Sequence, residues 1–216
     1  MTRALFWDND GVLVDTERIY FEATRDTMAR LGVELTREQY YDLFLVQARG
    51  AWHLVRNGAL TPEEVARHRA ERDELYAWRL AQESAAVPGA EEVLLALHGR
   101  LPMGVVTSSR RNHFEIIHRR TGFLRYFDFA ITIDECARCK PDPEPYRRAA
   151  ERVGCAPGEC LAIEDSERGL LAAHAAGVPC WIIPTALTAH GDFSRAEAVL
   201  GSIAEVAERL ATPAAG

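Results

Sequence analysis

The apolar positions of the chain follow two different patterns. Short uninterrupted apolar runs, typical of buried strands, occur at the N-terminus and again beyond residue 102. Between them, residues 16–85 carry apolar side chains at helical spacing and show no strand pattern. The predicted strands are 5–7, Met103–Thr107, Phe129–Ile133, Leu161–Ile163 and Cys180–Ile183.

Predicted helices separate the strands beyond residue 102. They cover 90–98, 112–121, 144–153 and 167–176, and a last helix begins at the capping box Ser202–Glu205. Since parallel strands need helical crossovers, this alternation predicts an α/β fold, a doubly wound parallel sheet covered on both faces. The N-terminal strand must belong to the same sheet, so we predict a discontinuous core domain of residues 1–15 and 86–216.

Residues 16–85 are predicted to form an inserted domain, a small bundle of four helices. The helices are expected to end at Gly32, to run from Thr36 toward Val46, to cover 51–57, and to run from Thr61 to Glu83. Two capping boxes mark the starts of helices, and a C-terminal glycine marks the end of one.

Composition narrows the possible partners. The 216 residues carry a net charge of −7, which argues against nucleic acid or an anionic membrane surface as the main partner. There is no apolar stretch of about eighteen residues and no signal-peptide pattern, so we expect a cytoplasmic protein. The five cysteines are an odd number, which favours free thiols, although Cys136 and Cys139 with Cys155 and Cys160 leave a zinc site as an alternative.

Two carboxylates follow the first predicted strand. Asp8 and Asp10 are two residues apart, so in extended chain they project to the same side. Side by side at a dry strand end they would repel, which a divalent cation or a raised pKa would relieve. The alternative is that Asp8-Asn9-Asp10-Gly11 is only a turn.

Three later segments also carry polar residues that can take part in binding or chemistry. Thr107-Ser108-Ser109 ends a strand and offers hydroxyl and amide groups to an anion, or merely caps a helix. Lys140 lies just before Pro141, which restricts its backbone. Glu164 and Asp165 end another strand and are either metal ligands or a helix cap.

The segment from Phe6 to Thr16 resembles the first motif of the haloacid dehalogenase-like (HAD) phosphohydrolases, an apolar strand followed by DxDGxLxD[ST]. Asn9 departs from the usual apolar residue. The segments at Thr107, at Lys140 in KPDPEPY, and at Glu164-Asp165-Ser166 resemble the second, third and fourth motifs in the expected order. Within the family, the core is similar to phosphoglycolate phosphatases and β-phosphoglucomutases, and the insertion resembles the small helical cap.

The resemblance implies a Mg²⁺-dependent cleavage of phosphate monoesters. Asp8 would be the nucleophile that forms an aspartyl-phosphate, Asp10 the general acid and base, and Lys140 the cation that neutralises nucleophile and phosphate. Mg²⁺ would be held by Asp8, the backbone carbonyl of Asp10 and Asp165, with Glu164 beside them.

The resemblance also assigns phosphate-binding and substrate-selecting residues. Thr107, Ser108 and Gly11 are expected to bind the phosphoryl group of a small phosphorylated metabolite. In the cap, Tyr20, Arg49 and Arg72 are the candidates for substrate contact. The other cationic or aromatic cap residues considered are Trp52, His53, Arg56 and Tyr76. We expect a monomer or a weak homo-oligomer.

Three other activities stay open on this scaffold. A sugar phosphomutase needs the same core, but such members commonly carry a histidine after the first motif, where this chain has Tyr20. A dehalogenase lacks the second aspartate, which is present here as Asp10. A catalytically idle binding protein would not need the complete set of motif residues.

Overall fold

The computed structural model describes residues 2–47, 49–55, 60–83 and 85–211, apart from the side chains of residues 45 and 46. The chain forms two compact units. One combines Met1–Asp15 with Ala85–Gly216, and the other comprises Thr16–Ser84.

The first unit contains a sheet of six parallel strands in the order β3-β2-β1-β4-β5-β6. The strands are β1 Ala4–Trp7, β2 Met103–Val106, β3 Phe129–Ile131, β4 Cys160–Glu164, β5 Cys180–Ile182 and β6 Ala198–Val199. The predicted α/β fold with a parallel sheet is confirmed. β6 was not predicted, because two residues are too short to give an apolar run.

The strand register brings the polar segments together. β1 lies between β2 and β4, and Trp7 is level with Val105 of β2 and Ile163 of β4. The residues just beyond these positions therefore reach the same carboxyl edge of the sheet, which is where open α/β sheets bind ligands.

Five helices accompany the described part of the sheet. They are α4 Ala90–Leu97, α5 Arg111–Thr121, α6 Glu144–Val153, α7 Glu167–Ala176 and α8 Ala204–Ala211. Alternate residues of β1 project to opposite faces. On one face, Phe6 packs with Tyr146 of α6 and Leu170 of α7 in a buried core cluster.

The second unit is built mainly from two long helices that pack against each other, α1 Glu17–Arg30 and α3 Pro62–Leu80. Arg79 of α3 donates hydrogen bonds to Glu22 and Asp26 of α1, which ties the two helices together. Capping boxes at Thr36 and Thr61 start α2 Arg37–Tyr40 and α3.

Two expectations for the insertion differ from the structure. α2 is only Arg37–Tyr40, and the chain continues to Val46 as a π-helical segment. The helix predicted over 51–57 is wrong: a single 3₁₀ turn covers Trp52–Leu54, and residues 56 and 57 lie outside the described residues. The Trp52 side chain is buried in the core of the unit and Val55 is extended, so packing favours a turn here.

All five cysteines are free thiols. Across the described ranges, no helix is both long and apolar enough to cross a membrane.

Candidate active site

Lys140 and Asp8 meet at the carboxyl edge of the sheet. Asp8 follows β1, and its backbone N–H donates to the carbonyl of Ile163 in β4. The Lys140 Nζ lies 2.7 Å from Asp8 Oδ1, 2.6 Å from Glu164 Oε1 and 2.7 Å from the Val106 carbonyl oxygen. The three protons of the ammonium group thus have three acceptors, and its position is fixed.

The loop before α6 and the helix itself hold Lys140 and Glu164 in place. The carboxylate of Glu144 accepts hydrogen bonds from the backbone N–H groups of Ala137 and Arg138, which closes the loop onto the start of α6. Two residues after Glu144, the Tyr146 hydroxyl donates to Glu164 Oε1 at 2.5 Å. Sequence reasoning missed Tyr146, because a tyrosine on the apolar face of a helix is usually an ordinary core residue.

Three buried carboxylates cluster at this edge of the sheet and suit a hard cation. The potential ligand oxygens of Asp8, Glu164 and Asp165 all lie within 4.8 Å of one another. Lys140 forms ion pairs with two of them, Asp8 and Glu164. Glu164 Oε2 is buried and has no hydrogen-bond partner in the described part of the chain. Oxygen donors with excess negative charge fit Mg²⁺.

Burial governs the charge states of this cluster. Burial and the Glu164 carboxylate raise the pKa of Asp8 to about 7, although Lys140 acts in the opposite direction. Burial acts to lower the pKa of Lys140, but Asp8 and Glu164 outweigh it and raise the pKa above its ordinary value. Lys140 is therefore charged at neutral pH, and a further cation would favour ionised Asp8.

Asp10 faces the end of β2. Its Oδ2 accepts a hydrogen bond from Ser109 Oγ at 2.7 Å and a longer one from Thr107 Oγ1 at 3.4 Å. The Ser109 backbone N–H donates to Thr107 Oγ1 at 2.9 Å. Sequence reasoning named Ser109 only as a hydroxyl for an anion and missed its contact with Asp10, although Ser109 is two residues after Thr107 and can project to the same side. The Ser108 Oγ is buried without a partner among the described residues.

Two glycines make room for the carboxylates. At Gly11 φ is +89°, and a Cβ there would lie 2.3 Å from Asp165 Oδ2. A Cβ at Gly169 would lie 1.9 Å from Glu164 Oε2. The Gly11 backbone N–H donates to the Val14 carbonyl, and phosphate binding by Gly11 stays a prediction.

The three cap candidates lie in different surroundings within their own unit. Arg72 is buried, and its Nη2 lies 2.6 Å from Asp73 Oδ1. Its guanidinium also lies 4.8 Å from the centre of the Tyr20 ring. Arg49 is exposed. Substrate contact by these residues stays a prediction, and Arg56 lies outside the described residues.

Comparisons with known proteins identify the family of the chain. A family profile for haloacid dehalogenase-like hydrolases matches residues 2–177. The chain is 31% identical to validoxylamine A 7'-phosphate phosphatase of Streptomyces hygroscopicus subsp. limoneus, over 95% of this chain and 96% of that protein. It is 29% identical to fructose-1-phosphate phosphatase YqaB of Escherichia coli, over 81% of this chain and 92% of that protein.

A solved structure also resembles the whole chain. It is a variant of CbbY from Rhodobacter sphaeroides in complex with xylulose-(1,5)bisphosphate, with a TM-score of 0.82 and 28% sequence identity. The match covers 95% of this chain and 96% of that one. This chain therefore belongs to the haloacid dehalogenase-like hydrolase family, among the phosphatases of that family.

Proposed function

We propose that this protein is a Mg²⁺-dependent phosphatase that hydrolyses a small phosphorylated sugar through an aspartyl-phosphate on Asp8. The observation that carries the proposal is the Lys140 ammonium, which contacts both Asp8 and Glu164 at a buried strand edge. A carboxylate held by a fixed ammonium beside further carboxylates is placed to attack an anionic phosphoryl group, because the added positive charge offsets the repulsion.

The carboxylate cluster fits the cation. Asp8, Asp165 and Glu164 offer side-chain oxygens, and the Asp10 backbone carbonyl is the fourth proposed ligand. When bound, Mg²⁺ supplies positive charge that offsets the repulsion between the carboxylates and the phosphoryl oxygens.

The protein side chains then divide the reaction into two steps. Asp8 attacks phosphorus, the new O–P bond forms, and the bond to the sugar oxygen breaks as Asp10 gives that oxygen a proton. Asp10 next removes a proton from water, which attacks the aspartyl-phosphate, releases phosphate and restores Asp8. Lys140, Thr107 and Ser108 are proposed to stabilise the phosphoryl oxygens in both steps.

The substrate class rests on the relatives. Their names give validoxylamine A 7'-phosphate, fructose 1-phosphate and xylulose-(1,5)bisphosphate as the compounds of those proteins. Two of the three are phosphorylated sugars, and we propose a small phosphorylated sugar as the substrate of this chain.

The test measures phosphate release from a panel of sugar phosphates, with Mg²⁺ or with a chelator. We expect Mg²⁺-dependent release by the natural protein, abolished in Asp8→Asn and preserved in the exposed control Asp192→Asn. Acid quenching during turnover should trap phosphate on the natural protein and not on Asp8→Asn. Retained activity in Asp8→Asn would refute the mechanism, and transfer of phosphate to sugar without release would indicate a phosphomutase.

A further inference from the structure

Asn9 is a fully buried polar side chain between the two site aspartates. Its Nδ2 lies 3.2 Å from Asp10 Oδ2, and its Oδ1 lies 2.8 Å from His118 Nε2 on α5. Burying an amide costs free energy unless its groups are hydrogen-bonded, and here both ends of the amide have partners. The mechanism described above gives Asn9 and His118 no role.

The contacts continue beyond His118 and run in one direction. The Phe123 backbone N–H donates to Thr121 Oγ1 at 3.2 Å, and Thr121 Oγ1 lies 2.9 Å from His118 Nδ1. A carbonyl oxygen only accepts, so the contact with Asn9 Oδ1 places the imidazole proton on Nε2. Nδ1 of a neutral ring then accepts the Thr121 hydroxyl proton. Every donor points toward Asp10.

The surroundings of His118 keep this arrangement in a single orientation. Its ring centre lies 4.5 Å from that of Phe114 and 6.1 Å from that of Phe123, so aromatic neighbours restrict its rotation. Burial lowers the pKa of His118 to about 4, which keeps the ring neutral at neutral pH. Reversing the Asn9 amide would place its oxygen against Asp10 Oδ2, an acceptor against an acceptor.

We infer that Asn9 and His118 are positioning residues that orient the Asp10 carboxyl group for proton transfer. This inference rests on the proposed function. Asn9 donates to Asp10 Oδ2, as Ser109 and Thr107 do. Donors aligned in a buried chain strengthen one another, so the loss of Asn9 should let the carboxyl group rotate and lose its alignment with the leaving oxygen.

The experiment compares two leaving groups. A sugar phosphate leaves as a basic alkoxide and needs the proton from Asp10, whereas p-nitrophenyl phosphate leaves as a weakly basic phenolate. General acid catalysis contributes about 10²–10⁴-fold, so partial misalignment in Asn9→Leu should lower kcat/KM for the sugar phosphate by about 10- to 100-fold. For p-nitrophenyl phosphate the decrease should be less than about 3-fold, since little of that catalysis is needed.

A double variant separates positioning from stability. Asn9→Leu leaves the buried His118 Nε2–H without its acceptor and should destabilise the protein, whereas Asn9→Leu combined with His118→Phe replaces both polar groups by apolar ones. We expect the double variant to recover thermal stability and to retain the selective loss on the sugar phosphate. The control is His98→Phe, which replaces the histidine at the C-terminal end of α4 whose ring contacts Tyr126. This change should alter neither the thermal stability nor the ratio of kcat/KM values for the two substrates.

Three results would overturn the inference. These are an equal decrease for both substrates, no decrease for either, and recovery of sugar phosphate hydrolysis together with stability in the double variant. If the natural protein releases phosphate from neither substrate in the presence of Mg²⁺, the proposed function fails and the inference fails with it. An active natural protein with an unselective Asn9→Leu variant overturns only the inference.

Discussion

Lys140 Nζ and Asp8 Oδ1 lie 2.7 Å apart although 132 residues separate them in the chain. Both side chains are buried, so solvent screens neither charge, and each charged group is stabilised by its partner. The ion pair is therefore a structural link between the β1 end and the α6 loop as well as part of the proposed chemistry.

Lys140→Met should remove activity and stability together. Above pH 7, where Asp8 is ionised, two buried carboxylates lose their cation, which we expect to cost on the order of 3–5 kcal/mol in the free energy of unfolding without Mg²⁺. The rate should fall by at least about 100-fold, as for the loss of one group that stabilises transition-state charge. Denaturant unfolding and phosphate release measure the two effects.

The matched control for Lys140→Met is Arg138→Met, an exposed position in the same loop. It should change the free energy of unfolding by less than about 0.5 kcal/mol. A Lys140→Met protein with near-natural turnover would show that the ion pair is structural only.

Gly169→Ala should be destabilising even though alanine is the better helix former. The added Cβ would lie 1.9 Å from Glu164 Oε2 and 2.0 Å from its Cδ, so the carboxylate must shift away from Lys140. The helix preference gained, about 1 kcal/mol, is smaller than the cost of disturbing a buried ion pair. We expect a lower denaturation midpoint and weaker phosphatase activity.

Gly158→Ala is the comparison for this change, because no atom lies within 4 Å of the Cβ position at Gly158. It should leave both measurements near their natural values. If Gly169→Ala is as stable and active as Gly158→Ala, the close packing of Glu164 is not needed for the site.

Asp165→Asn should weaken the binding of Mg²⁺. One of three clustered carboxylates loses its charge, so the Mg²⁺ concentration for half-maximal activity should rise by about 10-fold or more, the range seen when groups that support a metal are removed. Titration of activity with Mg²⁺ measures the shift, with Asp192→Asn as the exposed control. An unchanged Mg²⁺ dependence would exclude Asp165 as a ligand.

The contribution of Asp8 to the stability of the metal-free protein should fall as pH rises from about 4 to about 7. In that interval the native protein keeps the proton of Asp8, whose pKa is raised to about 7 by burial and by Glu164, whereas the unfolded chain loses it near 3.8. This contribution is the difference in the free energy of unfolding between the natural protein and Asp8→Asn, because His118, whose pKa is lowered to about 4, acts in the opposite direction in both.

Mg²⁺ should reverse this trend, because a ligand carboxylate must be ionised to bind it. Calorimetry at a series of pH values, with Mg²⁺ or with a chelator, should show a Tm increase on Mg²⁺ addition that grows toward pH 8. A Tm increase that is largest near pH 5 would contradict the assignment of Asp8 as a ligand.

The sequence by itself determined the sheet, the inserted helices and the polar residues at the strand ends. Apolar runs and capping residues are local signals, so β1, α3 and the segments at Asp8 and Asp165 could be read from neighbouring residues alone. The same local signals predicted a helix over 51–57, which is wrong, because the packing of Trp52 favours a turn there.

Only the tertiary structure decided which side chains act together. Tyr146, Ser109 and Gly169 lie in ordinary local sequence, and their contacts with Glu164 and Asp10 arise from the strand register and helix packing. The pairing of Asn9 with His118 joins positions 109 residues apart. No local pattern encodes such a distance, because a buried hydrogen bond is specified only when both partners have been brought into the same core.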